Sequence, residues 1–250
     1  MAERRRRRGT ETRRPSLLWL FAALLIPPLK GVATIRIRDG HKVPATGAFI
    51  LSPNHMSNID PVVMGYAVWH AGRAPRFLAK ASLFRIPVVG SLLHGIGQIP
   101  VERGGAARGA LPLSAAKRLI EEGQGVIVYP EGSLTRDPDL WPMRGKTGAA
   151  RLALELGLPV VPAAHWGVQG LMPVNSTRFT LSPRPSIDVV FGDPVDLADL
   201  GRVGDRAALN EATDRIMAAI TRLEEGLRGE TAPPERWDPS KHGQSETGRF

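Results

Sequence analysis

His55 and Asp60 stand five residues apart in "LSPNHMSNID", at a corner between the apolar run "GAFILSP" and the helix-like run "PVVMGYAVWH". A carboxylate placed where a helix begins can turn back on the preceding loop and accept a hydrogen bond from one imidazole nitrogen. That bond fixes the tautomer and leaves the other nitrogen free as a base. With an unperturbed pKa of about 6.5, such a histidine can take a proton from an alcohol near neutral pH. The same residues also suit a plainer role, with Asp60 as an N-cap before Pro61 and His55 as a turn residue.

The elements around the pair alternate. "ATIRIR", "GAFILS", "RFLAK", "GVIVYPEG" and "LPVVPAAHW" read as strands, several of them continuous β-branched runs suited to burial on both faces. Between them lie a helix over about 61–70, a short apolar one in "VVGSLLHGIG", and amphipathic ones in "ALPLSAAKRLIEEG" and "TGAARLALELG". "RFTLS" and "SIDVVFGDPV" have no helix between them and predict an antiparallel pair, and residues 205–228 predict a closing helix. The alternation predicts a single α/β domain: a mostly parallel mixed sheet flanked by helices. Ligands in such sheets bind beyond the carboxyl ends of the strands. Polar clusters follow four candidate strands: "NHMSNID", "PVERGG", "YPEGSLTRD" and "HWGVQG". Ordinary loops look the same, so this pattern alone does not choose a function.

Composition narrows the partners. The chain of 250 residues has no cysteine, which excludes a disulfide framework and a thiol nucleophile. No His/Asp/Glu cluster has metal-ligand spacing, so no metal is expected. The net charge of +9 is concentrated at the start, where residues 1–14 hold seven Arg and two Glu. Such a block favours polyanions, nucleic acid or anionic lipid. "SLLWLFAALLIPPL" then runs for fourteen residues without a charge. As a helix it would reach about 21 Å, short of a hydrocarbon core of about 30 Å, and Pro27 and Pro28 would end it sooner. A polybasic block beside a short apolar helix predicts a monotopic anchor on an anionic membrane. No basic stripe interleaved with aromatics supports nucleic-acid binding. The expected organisation is a basic disordered tail (1–15), an anchor (16–29), the folded domain (30–228) and a flexible polar tail (229–250).

"NHMSNID" resembles the His-x4-Asp signature of the glycerolipid acyltransferases, which include the lysophosphatidate acyltransferases. "GQIPVER" resembles their second block, "YPEGSLTRD" their third and "LPVVPAA" their fourth, in order over residues 50–165. The resemblance implies transfer of a fatty acyl group from an acyl thioester, acyl-CoA or acyl carrier protein, to a hydroxyl of 1-acylglycerol-3-phosphate, without a cofactor, at the cytoplasmic face of the membrane. It implies His55 as base and Asp60 as its orienting partner. Arg103 would hold the acceptor phosphate, Glu131 would position glycerol hydroxyls or neighbouring loops, and Gly132 would permit a tight turn with donors for the oxyanion nearby. Relatives commonly carry Glu-Gly-Thr-Arg in the third block, whereas this chain has Leu134 in the arginine slot. Arg136, Arg144 and Lys146 are the candidates to complete the phosphate site. His70, His94 and His165 read as core or loop residues, His41 and His242 as exposed ones, and Phe84 to Gly97 as a lining for an acyl chain. Glycerol-3-phosphate or another lysophospholipid as acceptor, or water in a thioester hydrolase, are the alternatives.

Overall fold

Every residue of the strand Phe49–Pro53 (β2) is buried, as its unbroken apolar run requires of a strand covered on both faces. Around it a computed structural model describes residues 10–12, 16–101, 115, 119–174, 176–180, 183–201 and 205–245. The strands are Thr34–Arg38 (β1), β2, Leu78–Lys80 (β3), Ile99–Val101 (β4), Gly125–Ile127 (β5), Val160–Trp166 (β6) and Ser186–Phe191 (β7). The helices are Leu17–Val32 (α1), Asp60–His70 (α2), Val89–Gly95 (α3), Gly148–Leu156 (α4) and Arg206–Arg228 (α5).

Five strands form one sheet in the order β1-β7-β6-β2-β5. β1/β7, β6/β2 and β2/β5 are parallel, and only β6/β7 runs antiparallel. β3 and β4 pair in parallel, and a bridge from Phe77 to Ile127 carries that pair onto the β5 edge. Two apolar layers cover the sheet. One joins β2, β6 and β7 to α2 and the end of α1, through Val63, Met64, Ala67 and Leu29. The other joins the opposite face to α4 and α5, through Leu152, Ala153, Ile216 and Ile220. The predicted architecture, α/β with a mostly parallel sheet flanked by helices, is the one observed.

Four details differ from the sequence reading. α1 does not stop at Pro27 and Pro28 but runs on to Val32. The prolines remove two backbone donors, yet the turn beyond them is held because Leu29 and Ala33 are buried in the core and Ala33 N–H donates to the Leu29 carbonyl at 3.0 Å. Second, the described part of "RFTLS", residues 178–180, is not a strand; β7 pairs with β6 instead, the strand it can reach without a crossover helix. Third, residues 236–242 of the polar C-terminal segment are tied down. Trp237 stacks on His242 at 3.6 Å, Arg236 pairs with Asp214 at 2.8 Å, and the Trp237 carbonyl accepts from Arg144 N–H at 2.8 Å. Fourth, within the basic tail Glu11 docks on the fold, bonding the buried Arg73 at 2.8 Å and Arg76 at 2.9 Å. The amphipathic run at 110–123 is helical at residues 115 and 119–121, and its other residues before 119 lie outside the described ones.

Candidate active site

β2 ends at Pro53 and α2 starts at Asp60, so residues 54–59 form the corner that carries His55. Asp60 does not cap its own helix. Its Oδ2 turns back to accept from Met56 N–H at 2.7 Å and Ser57 N–H at 2.8 Å, and it meets His55 Nδ1 at 2.9 Å. The N-cap of α2 is Ile59, without a side-chain cap bond. The plain N-cap role for Asp60 is therefore set aside in favour of the orienting one. The corner's Asn and Ser have other work: Asn54 is buried, and Ser57 Oγ donates to the Met172 carbonyl at 2.7 Å.

With Nδ1 occupied, the Nε2 of His55 carries no hydrogen bond among the described residues. The ring is partly exposed while Asp60 is fully buried. Tyr129 stacks on the His55 ring with centroids 4.1 Å apart, and Phe77 lies behind Tyr129 at 6.5 Å. The Tyr129 hydroxyl is buried, and burial together with the Asp60 carboxylate pushes its pKa well up, so it remains a neutral donor.

Burial alone would push the Asp60 pKa up. The His165 and His55 rings more than offset it and hold the carboxyl well below the usual range. His165 reads in sequence as a core or loop residue; it is fully buried in a strand, but its Nε2 lies 3.5 Å from Asp60 Oδ2. Asp60 is thus flanked by two imidazoles, one at the surface and one inside. Asn54 locks the inner one: its Oδ1 accepts from His165 N–H at 2.9 Å, and its Nδ2 donates to the His165 carbonyl at 3.0 Å and to Glu224 Oε2 at 2.8 Å. Burial lowers the His165 pKa, but Asp60 and Glu224 reverse this and the net shift is upward. Glu224 itself, from α5, is pushed by burial up to about 7 against the pull of His165 and Arg228. Arg228 closes the assembly between Trp141 at 3.7 Å and Trp166 at 4.2 Å.

Glu131 lies behind the corner, fully buried. Its two oxygens accept from His55 N–H at 2.9 Å and Met143 N–H at 3.0 Å, so it ties the histidine loop to the 141–147 loop. Burial pushes its pKa well up despite those two bonds. Of the two roles open to it in sequence, the bonds are those of loop positioning. Gly132 adopts φ 71°, a left-handed conformation that glycine allows at little cost. Its N–H donates to the Tyr129 carbonyl at 3.1 Å, so that amide is not available for an oxyanion. A Cβ at Gly132 would lie 3.0 Å from Lys146 Cδ and 3.4 Å from its Nζ, which places Lys146 directly over this turn.

The remaining candidates separate. Arg103 lies outside the described residues. Arg136 is buried, in the segment whose Thr135 N–H donates to the His55 carbonyl at 2.7 Å. Arg144 instead lines a cleft with Arg222, Arg236 and Lys241, and pairs with Asp238 at 3.0 Å. The structure brings together His55, Asp60, Glu131, Gly132 and Lys146; it adds Asn54, Tyr129, His165 and Glu224. An apolar cavity of about 290 Å³ lies beside this group, between α1, α2 and α3, and reaches Phe77. Leu93 and Ile96 from the expected acyl-lining stretch face it, with Phe21, Leu25 and Trp69.

Known proteins are similar to this chain in sequence and in fold. The 1-acyl-sn-glycerol-3-phosphate acyltransferase of Haemophilus influenzae is 33% identical over 177 residues, covering 70% of this chain and 69% of that one. The Bacillus subtilis enzyme of the same name is 25% identical over 193 residues, 77% of this chain and 89% of that one. The chain spans only about a third (34%) of the chloroplast 1-acyl-sn-glycerol-3-phosphate acyltransferase BAT2 of Brassica napus, at 32% identity over 123 residues. The crystal structure of the 1-acyl-sn-glycerophosphate acyltransferase PlsC from Thermotoga maritima shares the fold, with TM-score 0.61 at 21% identity over 86% of this chain and 81% of that one. The Acyltransferase family pattern covers residues 34–166, from the first residue of β1 through the His55 corner and the Glu131 turn to the last residue of β6, and the chain belongs to that family.

Proposed function

We propose that the chain transfers a fatty acyl group from an acyl thioester to the free hydroxyl of 1-acylglycerol-3-phosphate, forming phosphatidate at a membrane surface. The observation that carries this reading is the His55–Asp60 bond of 2.9 Å, made by a buried carboxylate to a ring whose far nitrogen has no hydrogen bond among the described residues. Nε2 takes the proton of the acceptor hydroxyl as its oxygen attacks the thioester carbonyl. A carbon–oxygen bond forms and the carbon–sulfur bond breaks. His55 then returns the proton to the departing thiolate, and Asp60 stabilises the imidazolium between the two transfers. No enzyme nucleophile is needed, in keeping with a chain that lacks cysteine.

The acyl chain would occupy the cavity of about 290 Å³, whose wall residue Phe77 stacks on Tyr129, which in turn stacks on the His55 ring. Lys146 supports a phosphate subsite, since it lies over Gly132 beside the start of α4, whose N-cap residue Thr147 makes no side-chain cap bond. Arg103 would add a bidentate contact to the same phosphate. Among the described residues no helix is long and apolar enough to cross a membrane. Surface attachment through α1 is supported by its exposed Leu17, Trp19, Leu20, Leu24 and Leu25. The testing experiment offers one labelled acyl-CoA, and in parallel the acyl carrier protein thioester, to lysophosphatidate, glycerol-3-phosphate, other lysolipids and water. Phosphatidate should dominate; label released chiefly as free fatty acid would replace the reading with a thioester hydrolase.

A further inference from the structure

The stretch Phe84 to Gly97 was expected to line an acyl groove, yet only its second half does so. Its first half, with Leu83, builds a knuckle that faces away from the cavity. Leu83, Ile86, Val88 and Val89 are all exposed, Ile86 at 46% and Val88 at 79%. Val88 has φ 68° and ψ −55°, and Val89 N–H donates across it to the Pro87 carbonyl at 2.7 Å. This is a γ-turn of the rare, strained hand, and a β-branched residue is the least suited to it. The strain is held by tight packing below. Gly90 N–H donates to the Ile86 carbonyl at 2.8 Å, and a Cβ at Gly90 would come within 2.1 Å of the Phe84 carbonyl oxygen. Phe84 and His94 stack edge to face at 4.8 Å behind the turn. The fold thus spends strain to present an aliphatic tip to its surroundings.

We propose that the knuckle Leu83–Val89 is a second membrane-insertion element, entering the same lipid leaflet as α1. The proposal rests on the membrane-surface reading of α1 given above. Three observations choose lipid as the occupant. The tip offers aliphatic side chains, which suit a fluid apolar phase. Between Asp60 and Glu102 the chain has no acidic residue; Arg73 and Arg76 are taken up by Glu11, but Lys80 stands just before the knuckle in sequence and Arg85 within it, and residues 1–14 add seven Arg. That charge complements anionic headgroups. The helix that follows the knuckle, α3, runs to α1, since the side chain of Leu17 reaches to 2.7 Å of a Cβ placed on Gly95 at its end. The apolar cavity lies between α1 and the far end of α3, lined by α1 on one side and by Leu93 and Ile96 on the other. A lysolipid or acyl thioester could then pass from the leaflet into the cavity without its chain crossing water.

The absence of cysteine allows single-site labelling of the full chain. Ile86→Cys and, separately, Leu20→Cys are labelled with the polarity-sensitive dye NBD and mixed with phosphatidylcholine–phosphatidylglycerol vesicles carrying brominated acyl chains. Both emissions should shift to the blue and be quenched. A quenched Leu20 label with an Ile86 label that stays in water overturns the knuckle and leaves the α1 reading standing. If neither label is quenched, both fail. An Ile86 label already shielded without vesicles would mark contact with a second copy and also overturn the proposal. In the unlabelled chain, Val88→Asp should lower the vesicle partition coefficient about tenfold with an unchanged circular dichroism spectrum, because one aliphatic side chain no longer leaves water. An unchanged coefficient counts against insertion.

Discussion

Asp60 Oδ2 gathers two backbone amides and the His55 ring at one point, so the corner's shape and its chemistry depend on the same atom. The two substitutions that probe it should therefore differ. His55→Ala removes the base and should reduce acyl transfer by about 10²–10⁴-fold. The ring is partly exposed, so the unfolding midpoint should barely move. Asp60→Asn should lose comparable activity and also stability, on the order of 1–3 kcal/mol, because an amide nitrogen can fall where buried N–H groups need an acceptor. Equal stability losses in the two variants would contradict this division of roles. For the phosphate, Lys146→Ala should raise the KM for lysophosphatidate while Arg144→Ala leaves it unchanged, since Arg144 is paired with Asp238 in the C-terminal cleft. His55, Asp60 and Glu131 were legible because each sits in a short local block. Glu224 was not, because only the packing of α5 against β6 brings it to Asn54 and His165. One sign of it was present: Glu224 continues the buried stripe of Ile216 and Ile220 at four-residue spacing, a place where an unpaired carboxylate is costly.

Among the elements, α1 shows how far local rules reach. Its apolar character was plain in sequence, but its length was not, because a proline penalty is local while the burial of Leu29 that offsets it comes from tertiary packing. The same fact changes how attachment must be tested. Deleting residues 1–29 would remove part of the cavity wall and a core residue, so a loss of binding would be ambiguous. The double change Leu20→Asp, Leu24→Asp avoids this, since those side chains are 67% and 70% exposed. It should reduce partition onto anionic vesicles by at least tenfold in a sedimentation assay, with thermal unfolding unaltered. Retained binding would move the attachment surface elsewhere. The Glu131 tie belongs to the same scale, for it joins two loops rather than one residue to a substrate. Glu131→Ala should lower both activity and stability, leaving the amides of His55 and Met143 without their acceptor.

Across the whole molecule, the strand alternation foretold the parallel sheet, whereas the docking of the polar C-terminal segment was hidden because it rests on scattered pairs such as Arg236–Asp214 and Arg144–Asp238. Those surface contacts add modestly to stability. The larger pH-dependent terms lie inside, among the buried Asp60, His165, Glu131 and Glu224. Glu224 has a folded pKa of about 7 against 4.5 when unfolded, so between those values the folded state binds the extra proton. Its contribution is complete below the unfolded value and is lost as pH rises towards and through 7. His165 and Glu131 have the same sign, the raised folded pKa of His165 making its share fade above the ordinary histidine range and that of Glu131 making its share fade above the usual carboxylate range. Asp60 has the opposite sign: its depressed pKa supplies stability at neutral pH that disappears only on acidification below the usual carboxylate range. Stability should therefore be greatest near pH 5 and decline toward pH 8, read as the midpoint of denaturant unfolding. Glu224→Gln retains an acceptor for Asn54 but cannot titrate, so it should flatten that decline while leaving the acid limb in place. If the variant's midpoint falls from pH 5 to 8 as steeply as that of the parent chain, the buried carboxyl of α5 is not the group responsible.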